Sequence, residues 1–477
     1  MEERVSGCSH VLMVPYPSQG HINPMLQFSK RLSTKGVRVT MVTTIFISKS
    51  MHLQSSSLLG NVQLDFISDG CDQGGFGQAG SVSTYLSRMQ EIGSNNLREL
   101  IKKYNSSDHP IDCVVYDPLV IWVLDVAKEF GLFGAAFFTQ MCAVNYIYYH
   151  VYHGLLKVPI SSPPISIQGL PLLDLRDTPA FVYDPGFYPA YFDLVMNQFS
   201  NIHKADIILV NSFYKLEEQL GLVGQHHHDY FFWPALVVDS MSKLCPILMI
   251  GPTVPSFHLD KAVPNDTDNV LNLFQVDSSA ISWLRQKPAG SVIYISFGSM
   301  VCFSSQQMEE IALGLMATGF NFLWVIPDLE RKNLPKELGE EINACGRGLI
   351  VNWTPQLEVL SNHAVGCFFT HCGWNSTLEA LCLGVPMVAL PQWTDQPTNA
   401  KFVEDVWKVG IRVKENENGI VTREEVENCI RVVMEKDLGR EMRINAKKWK
   451  ELAIEAVSQG GTSDNNINEF INNLKRS

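Results

Sequence analysis

Short apolar runs rich in β-branched residues alternate with longer segments of helical spacing through most of the chain. A period of two and a period of 3.6 cannot share one element, so this alternation reads as repeated βαβ units around a parallel sheet. Strands are expected at 10–15, 37–43, 113–116, 207–210, 292–296, 322–326, 366–370 and 387–390. The stretch Gly251-Pro252-Thr253-Val254-Pro255, followed by a polar run over 264–269, divides these strands into two series. The reading is an α/β protein with domains at 1–250 and 271–455, a linker over 251–270 and a closing helical segment over 456–477. A chain of 477 residues is long enough for two hydrophobic cores.

Composition narrows the function. Hydrophobic residues make up 46% and charged residues 18%, which is ordinary for a globular protein and unlike a disordered chain. With 37 basic against 49 acidic residues the net charge is −12, which argues against a protein built to grip the nucleic-acid backbone. The opening Met1-Glu2-Glu3-Arg4 lacks the basic start and apolar stretch of a secretory leader. No apolar run reaches the roughly 18 residues that a bilayer span requires. The 11 cysteines are scattered without a Cys-x-x-Cys pair, so neither a zinc site nor a disulfide framework is expected. The expectation is a cytoplasmic protein with no nucleic-acid partner, no membrane span and no bound metal.

In an open parallel sheet, ligands gather beyond the carboxyl ends of the strands. The first strand runs into Tyr16-Pro17-Ser18-Gln19-Gly20-His21, with Pro24 in the first turn of the helix that follows. Asp117 ends the strand Cys113-Val114-Val115-Tyr116. A histidine and a carboxylate on one rim can serve as a base and its orienting partner. Spacing alone favours the plainer use, a helix-capping histidine and a solvated turn aspartate. The second half holds three loops that each start where an apolar strand stops: Trp353–Gln356, His371–Glu379 and Pro391–Gln396. Gly373, Asn375 and Ser376 at a helix start suit phosphate oxygens. Trp353 offers a flat face for a base, Glu379 an acceptor for a ribose diol, and Asp395 with Gln396 the polar groups that discriminate sugar hydroxyls. Taken singly, Trp374 reads as core and Asn375, Ser376 or Asp395 as caps, but three such loops on one edge favour a shared ligand.

These residues carry a resemblance. The stretch from Trp353 to Gln396 resembles the plant secondary product glycosyltransferase signature, and Gly20-His21-x-x-Pro24 resembles the amino-terminal motif of the same UDP-dependent family 1 glycosyltransferases. The similarity extends through Asn211-Ser212-Phe213, Gly251-Pro252-Thr253 and Phe297-Gly298-Ser299. The stretches 11–15, 66–70 and 115–117 look closest to the subgroup that glucosylates small acids, phenolics and steroids or triterpenoids. The resemblance implies a GT-B fold, two Rossmann-like domains facing each other across a cleft, with the segment 456–477 packing back on the N-terminal domain. It implies His21 as general base and Asp117 as its partner. Trp353 would stack on uracil, Gln356 and Glu379 would hold the nucleoside, and His371, Asn375, Ser376 and Ser299 would contact the diphosphate. Trp374, Asp395 and Gln396 would read the sugar, and Ser18 would lie near the reacting centre. The implied reaction is inverting transfer of glucose from UDP-glucose, with no cofactor and no metal, by a monomer.

The acceptor is less sharply drawn. Met141, Asn145, Tyr146, Phe187 and Tyr188 could line an apolar pocket for a small hydrophobic molecule. At helical spacing, however, Met141, Asn145 and Tyr149 form a face that any buried helix would show. The stretch 219–236, with His226-His227-His228 and Tyr230-Phe231-Phe232-Trp233, departs from the family pattern and is expected to be a surface insertion away from the site.

Overall fold

The computed structural model describes residues 8–51, 59–218, 246–264, 266, 271, 274 and 276–476. The chain forms two compact units, one of Met1–Leu173, Phe181–Leu273 and Ile454–Ser477, the other of Asp174–Ala180 and Phe274–Ala453.

Unit 1 is built on seven parallel strands: β1 His10–Val14, β2 Arg38–Thr44, β3 Gln63–Ile67, β4 Cys113–Tyr116, β5 Phe133–Phe138, β6 Ile207–Val210 and β7 Ile247–Met249, in the order β3-β2-β1-β4-β5-β6-β7. β1 and β4 are buried along their whole length, as the near-continuous apolar runs of a sheet covered on both faces should be. Val11 pairs with Val39 on one side and Cys113 on the other, so strand order reverses between β1 and β4. That reversal is the switch point at which doubly wound sheets place their ligands. Helix Gln19–Thr34 presses Met25, Leu26, Phe28 and Leu32 onto the sheet, and helix Thr462–Leu474 adds Ile467, Phe470, Ile471 and Leu474 to the same core. Residues 251–273 lie in unit 1, where their described part is tied along helix Gln19–Thr34. Arg31 makes a two-pronged bond to Asp260, buried Lys30 pairs with Asp266 at 2.9 Å, and the Asn23 side chain both donates to and accepts from the Leu271 backbone.

Unit 2 has six parallel strands: β8 Val292–Ser296, β9 Asn321–Val325, β10 Gly348–Val351, β11 Val365–Thr370, β12 Met387–Ala389 and β13 Gly410–Arg412, in the order β10-β9-β8-β11-β12-β13. Its switch point lies between β8 and β11, which pair from Val292–Val365 to Ser296–Thr370.

All eight strands expected from the sequence are present, displaced at their ends by a residue or so. Five more appear among the described residues, and four of them, β3, β7, β10 and β13, are the outer strands of the two sheets. Outer strands are short and need only one apolar side, so their sequence signal is weak. The fifth, β5, contains Gly134-Ala135-Ala136, which has little strand propensity and is held by neighbours on both sides. The stretch 219–236 lies outside the described residues.

Candidate active site

Both carboxyl edges at the unit 1 switch point carry functional groups. Val14 ends β1, Ser18 occupies the N-cap position of helix Gln19–Thr34 without a capping side-chain bond, and His21 stands in the first turn. Asp117 follows β4 with its backbone N–H donated to the Val14 carbonyl, which sets the two strand ends side by side. Its Oδ1 accepts the Leu119 N–H at 3.0 Å and its Oδ2 lies 2.5 Å from His21 Nδ1. Asp117 is therefore both a turn residue and the partner of the histidine. Its side chain is 1% exposed and that of His21 23%, so the carboxylate is shielded while the imidazole reaches the surface. A carboxylate can only accept here, so Nδ1 carries the ring proton and Nε2 keeps a lone pair for a ligand.

Two further groups frame His21. Thr139, just beyond β5, places Oγ1 3.3 Å from His21 Nδ1. Tyr16 meets the imidazole edge-on with ring centroids 5.4 Å apart. Burial, reinforced by Tyr191 and Asp117, raises the Tyr16 phenol far above its ordinary range, so it stays a neutral hydrogen-bond donor. Sequence reading passed over both, although Thr139 obeys the same strand-end rule that singled out His21.

The acceptor candidates fall into two groups. Met141, Asn145 and Tyr146 belong to the buried start of helix Cys142–Tyr152. Asn145 donates to the carbonyls of Gln140 and Met141, and its buried Oδ1 has no partner among the described residues. Buried Glu217 caps this helix, accepting the N–H groups of Cys142 and Ala143 at 2.9 and 3.1 Å. Phe187 and Tyr188 sit in an exposed aromatic group instead: Phe187 is 68% exposed and packs edge-on against Tyr188, while Phe181 stacks on Tyr191.

In unit 2 the three loops do converge on one strand edge. Gln356 opens the short helix Gln356–Leu360 and donates from Nε2 to Ser376 Oγ at 3.0 Å and to Glu379 Oε2 at 2.7 Å, while its Oε1 accepts the Tyr294 hydroxyl. The half-exposed indole of Trp353 lies 4.4 Å from the Phe274 ring. His371 directly follows β11, and Gly298 and Gly373 crowd its Nε2: a Cβ at either would come within 2.8 and 2.6 Å. Only glycine lets backbone approach a ring that closely. Burial lowers the His371 pKa to about 4, so near neutral pH it offers a hydrogen bond rather than a charge. Helix Trp374–Leu383 begins beside it with no side-chain cap, and Asn375 sits in that first turn. Ser299 is exposed after β8. Trp374 differs from the others, since its ring is buried and packs toward Trp407 at 6.1 Å.

Asp395 and Gln396 are held just as firmly. Asp395 accepts Asn399 Nδ2 at 2.6 Å and Thr394 Oγ1 at 2.6 Å, and Gln396 Oε1 accepts the N–H groups of Gln392 and Trp393. Among the described residues no group of three His, Cys, Asp or Glu side chains could hold a metal ion, and the ten described cysteines are all free. The sequence does contain one Asp-x-Asp spacing, Asp266-Thr267-Asp268, but Asp266 is engaged with Lys30 in unit 1.

Residues 278–448 match the family model described as "UDP-glucoronosyl and UDP-glucosyl transferase", and residues 9–58 match "Glycosyltransferase, N-terminal domain". The chain is 49% identical over 474 residues to a flavonol 7-O-beta-glucosyltransferase of Arabidopsis thaliana, covering 98% of each. It is 46% identical over 471 residues to mogroside I-E synthase of Siraitia grosvenorii, covering 98% of this chain and 99% of that one. The crystal structure of Os79 from O. sativa in complex with UDP matches 97% of this chain and 100% of its own, with a TM-score of 0.89 and 37% identity.

Proposed function

The chain belongs to the plant family 1 UDP-glycosyltransferases and has their two-domain GT-B fold, and on that premise we propose that it transfers glucose from UDP-glucose, with inversion, to a small hydrophobic molecule. The observation that carries this reading is the 2.5 Å pairing of His21 Nδ1 with buried Asp117, which leaves Nε2 as a base at the rim. Unit 1 supplies that base and unit 2 the donor-binding groups.

The acceptor hydroxyl gives its proton to Nε2 as its oxygen attacks the anomeric carbon from the face opposite UDP. The bond from that carbon to the diphosphate oxygen breaks, through a transition state with oxocarbenium character. Asp117 stabilises the imidazolium that forms. Negative charge growing on the departing diphosphate is met by the positive end of helix Trp374–Leu383, by Ser299, Asn375 and Ser376, and by neutral His371 as a donor. Trp353 covers the uracil, and the Gln356–Glu379 pair holds the ribose. With its indole buried, Trp374 reaches the sugar through its backbone N–H, beside Asp395 and Gln396. On this scheme charge is neutralised without a divalent metal. The aromatic group around Tyr188 and half-buried Tyr191 suits a flat or polycyclic acceptor, with the phenolic hydroxyl as first choice and a carboxylate as second. Ser18, Met141, Asn145 and Tyr146 complete the reacting centre and the pocket. The free cysteines and acidic charge fit a monomer in a reducing cytoplasm.

The test is mass spectrometry of products from UDP-glucose and UDP-galactose competing for a panel of flavonols, triterpenoids and aromatic acids, with a chelator present. A hexose added from UDP-glucose is the expected outcome. Preference for UDP-galactose, or activity lost to the chelator and regained with a divalent cation, would overturn the corresponding part.

A further inference from the structure

Residues Asp174–Ala180 belong to unit 2, although the chain on either side of them belongs to unit 1. Within unit 2 this seven-residue strap runs along the whole of helix Gln396–Lys401. At one end the Ala180 N–H donates to the Thr394 carbonyl at 2.7 Å. In the middle Thr398 Oγ1 donates to the Asp177 carbonyl at 2.8 Å. At the far end the Asp177 carboxylate accepts Arg412 Nη1 at 2.9 Å on one oxygen, and Lys401 Nζ at 3.1 Å on the other. The Asp174 N–H also reaches that second oxygen, and Arg412 Nη2 donates to the Arg176 carbonyl.

The helix needs such support. Its six residues continue only into the wider helical turn Phe402–Val406, and the whole run is still too short to be stable alone. It starts from Thr394, a non-glycine residue at φ 55°, a conformation that persists only where surrounding groups impose it. A cavity of about 410 Å³ lined in part by Asp174, Asp177, Lys401 and Arg412 opens beside the strap at Lys401, the one residue of the helix that is not buried, so at that end the ion pairs rather than close packing hold it. Its first residue is Gln396 and the preceding one is Asp395, the two that would read the sugar. None of the groups assigned to UDP lies on this helix.

We infer that Asp177 is a positioning residue for donor-sugar recognition: it holds helix Gln396–Lys401, and with it Asp395 and Gln396, at the place where the glucosyl hydroxyls bind. The inference rests on the proposed UDP-glucose reaction and adds a residue to it. Because the strap touches the sugar-reading helix and not the nucleotide groups, loosening it should weaken UDP-glucose and spare UDP.

The experiment is calorimetric titration of the full chain with UDP and, separately, with UDP-glucose. Asp177→Asn keeps the side-chain shape but removes the charge that pairs with both Arg412 and Lys401. The expected result is a roughly tenfold loss of UDP-glucose affinity, about 1.4 kcal/mol, with UDP affinity within about twofold. Thr398→Val removes a single bond to the strap and should shift the same ratio in the same direction by a smaller factor; it decides the matter if Asp177→Asn fails to fold. Equal weakening of both ligands, or of neither, would overturn the inference. If the unaltered protein fails to bind UDP-glucose at all, the functional reading itself is wrong and the inference falls with it.

Discussion

Replacing Asp117 with Asn tests the chemistry at its tightest point. The Leu119 N–H points at Asp117 Oδ1, so an asparagine there must keep its carbonyl oxygen on that side and turn its NH₂ group toward His21 Nδ1. Two donors cannot face each other. The imidazole must move its proton from Nδ1 to Nε2, and Nε2 then has no lone pair with which to accept the acceptor's proton. The substitution is nearly isosteric and keeps the turn, so the loss comes from the tautomer. General base catalysis is worth roughly 10²–10⁴-fold, equivalent to about 3–5.5 kcal/mol of barrier, and kcat/KM for a phenolic acceptor should fall by that factor. UDP affinity should not change, because the residues proposed to hold the nucleotide all lie in unit 2. Asp117→Ala makes the comparison diagnostic. If the carboxylate merely shaped the turn, Asn would stand close to the parent and Ala far below it, whereas on the present reasoning Asn is no better than Ala. Initial rates with saturating UDP-glucose, together with UDP titration of each variant, give the answer. Turnover of a hydroxyl acceptor by Asp117→Asn within tenfold of the parent would refute the assignment.

Other expectations follow from the same geometry. His21→Ala should lower turnover of a hydroxyl acceptor by roughly 10²–10⁴-fold but that of a carboxylate acceptor, already ionised at neutral pH, much less, as product quantification on matched phenol and acid substrates would show. His371 is depressed from an ordinary value of 6.5 to about 4, so the unfolded chain binds this proton more readily. Its neutral form therefore favours the fold fully above about pH 6.5, and this contribution, on the order of 3 kcal/mol, is lost as pH falls toward 4. Thermal melting from pH 4 to 7 should accordingly be flatter in His371→Gln, and an unchanged slope would count against the buried neutral imidazole. Glu217→Ala leaves the buried N–H groups of Cys142 and Ala143 unmet and should destabilise unit 1 by about 2 kcal/mol in chemical denaturation, whereas a loss below about 0.5 kcal/mol would mean that water replaces the cap. Deleting 219–236 should leave glucosyl transfer within about threefold, since the sequence marks this stretch as an insertion and added chain length costs little closure entropy; loss of activity in a folded variant would assign that stretch to the acceptor site.

Much of this protein is legible in its amino-acid sequence, for a physical reason. A strand in the middle of a parallel sheet must be apolar on both faces, so β1, β2, β4, β6, β8, β9, β11 and β12 announce themselves, and the residue after each lands on the ligand edge. That rule alone reaches His21, Asp117 and the loops holding His371 and Asp395. Outer strands escape it because only one of their sides must be buried, and β5 escapes it because Gly134-Ala135-Ala136 has no strand signature without neighbours. What local pattern cannot decide is which of two satisfactory uses a polar side chain will take. Asp117 could have been a turn residue and proved to be that and a histidine partner as well, because the β1–β4 pairing brings positions 96 residues apart within 2.5 Å. Trp374 could have faced ligand or core, and packing toward Trp407 buried it. Asp177 and Arg412 lie 235 residues apart, and nothing near either one signals the other. Sequence periodicity dictates the elements and their edges, since those follow from the burial of each strand's own side chains. The partners that orient His21 or steady the helix behind Asp395 and Gln396 come from elements distant in the chain, and only the assembled sheets bring them together.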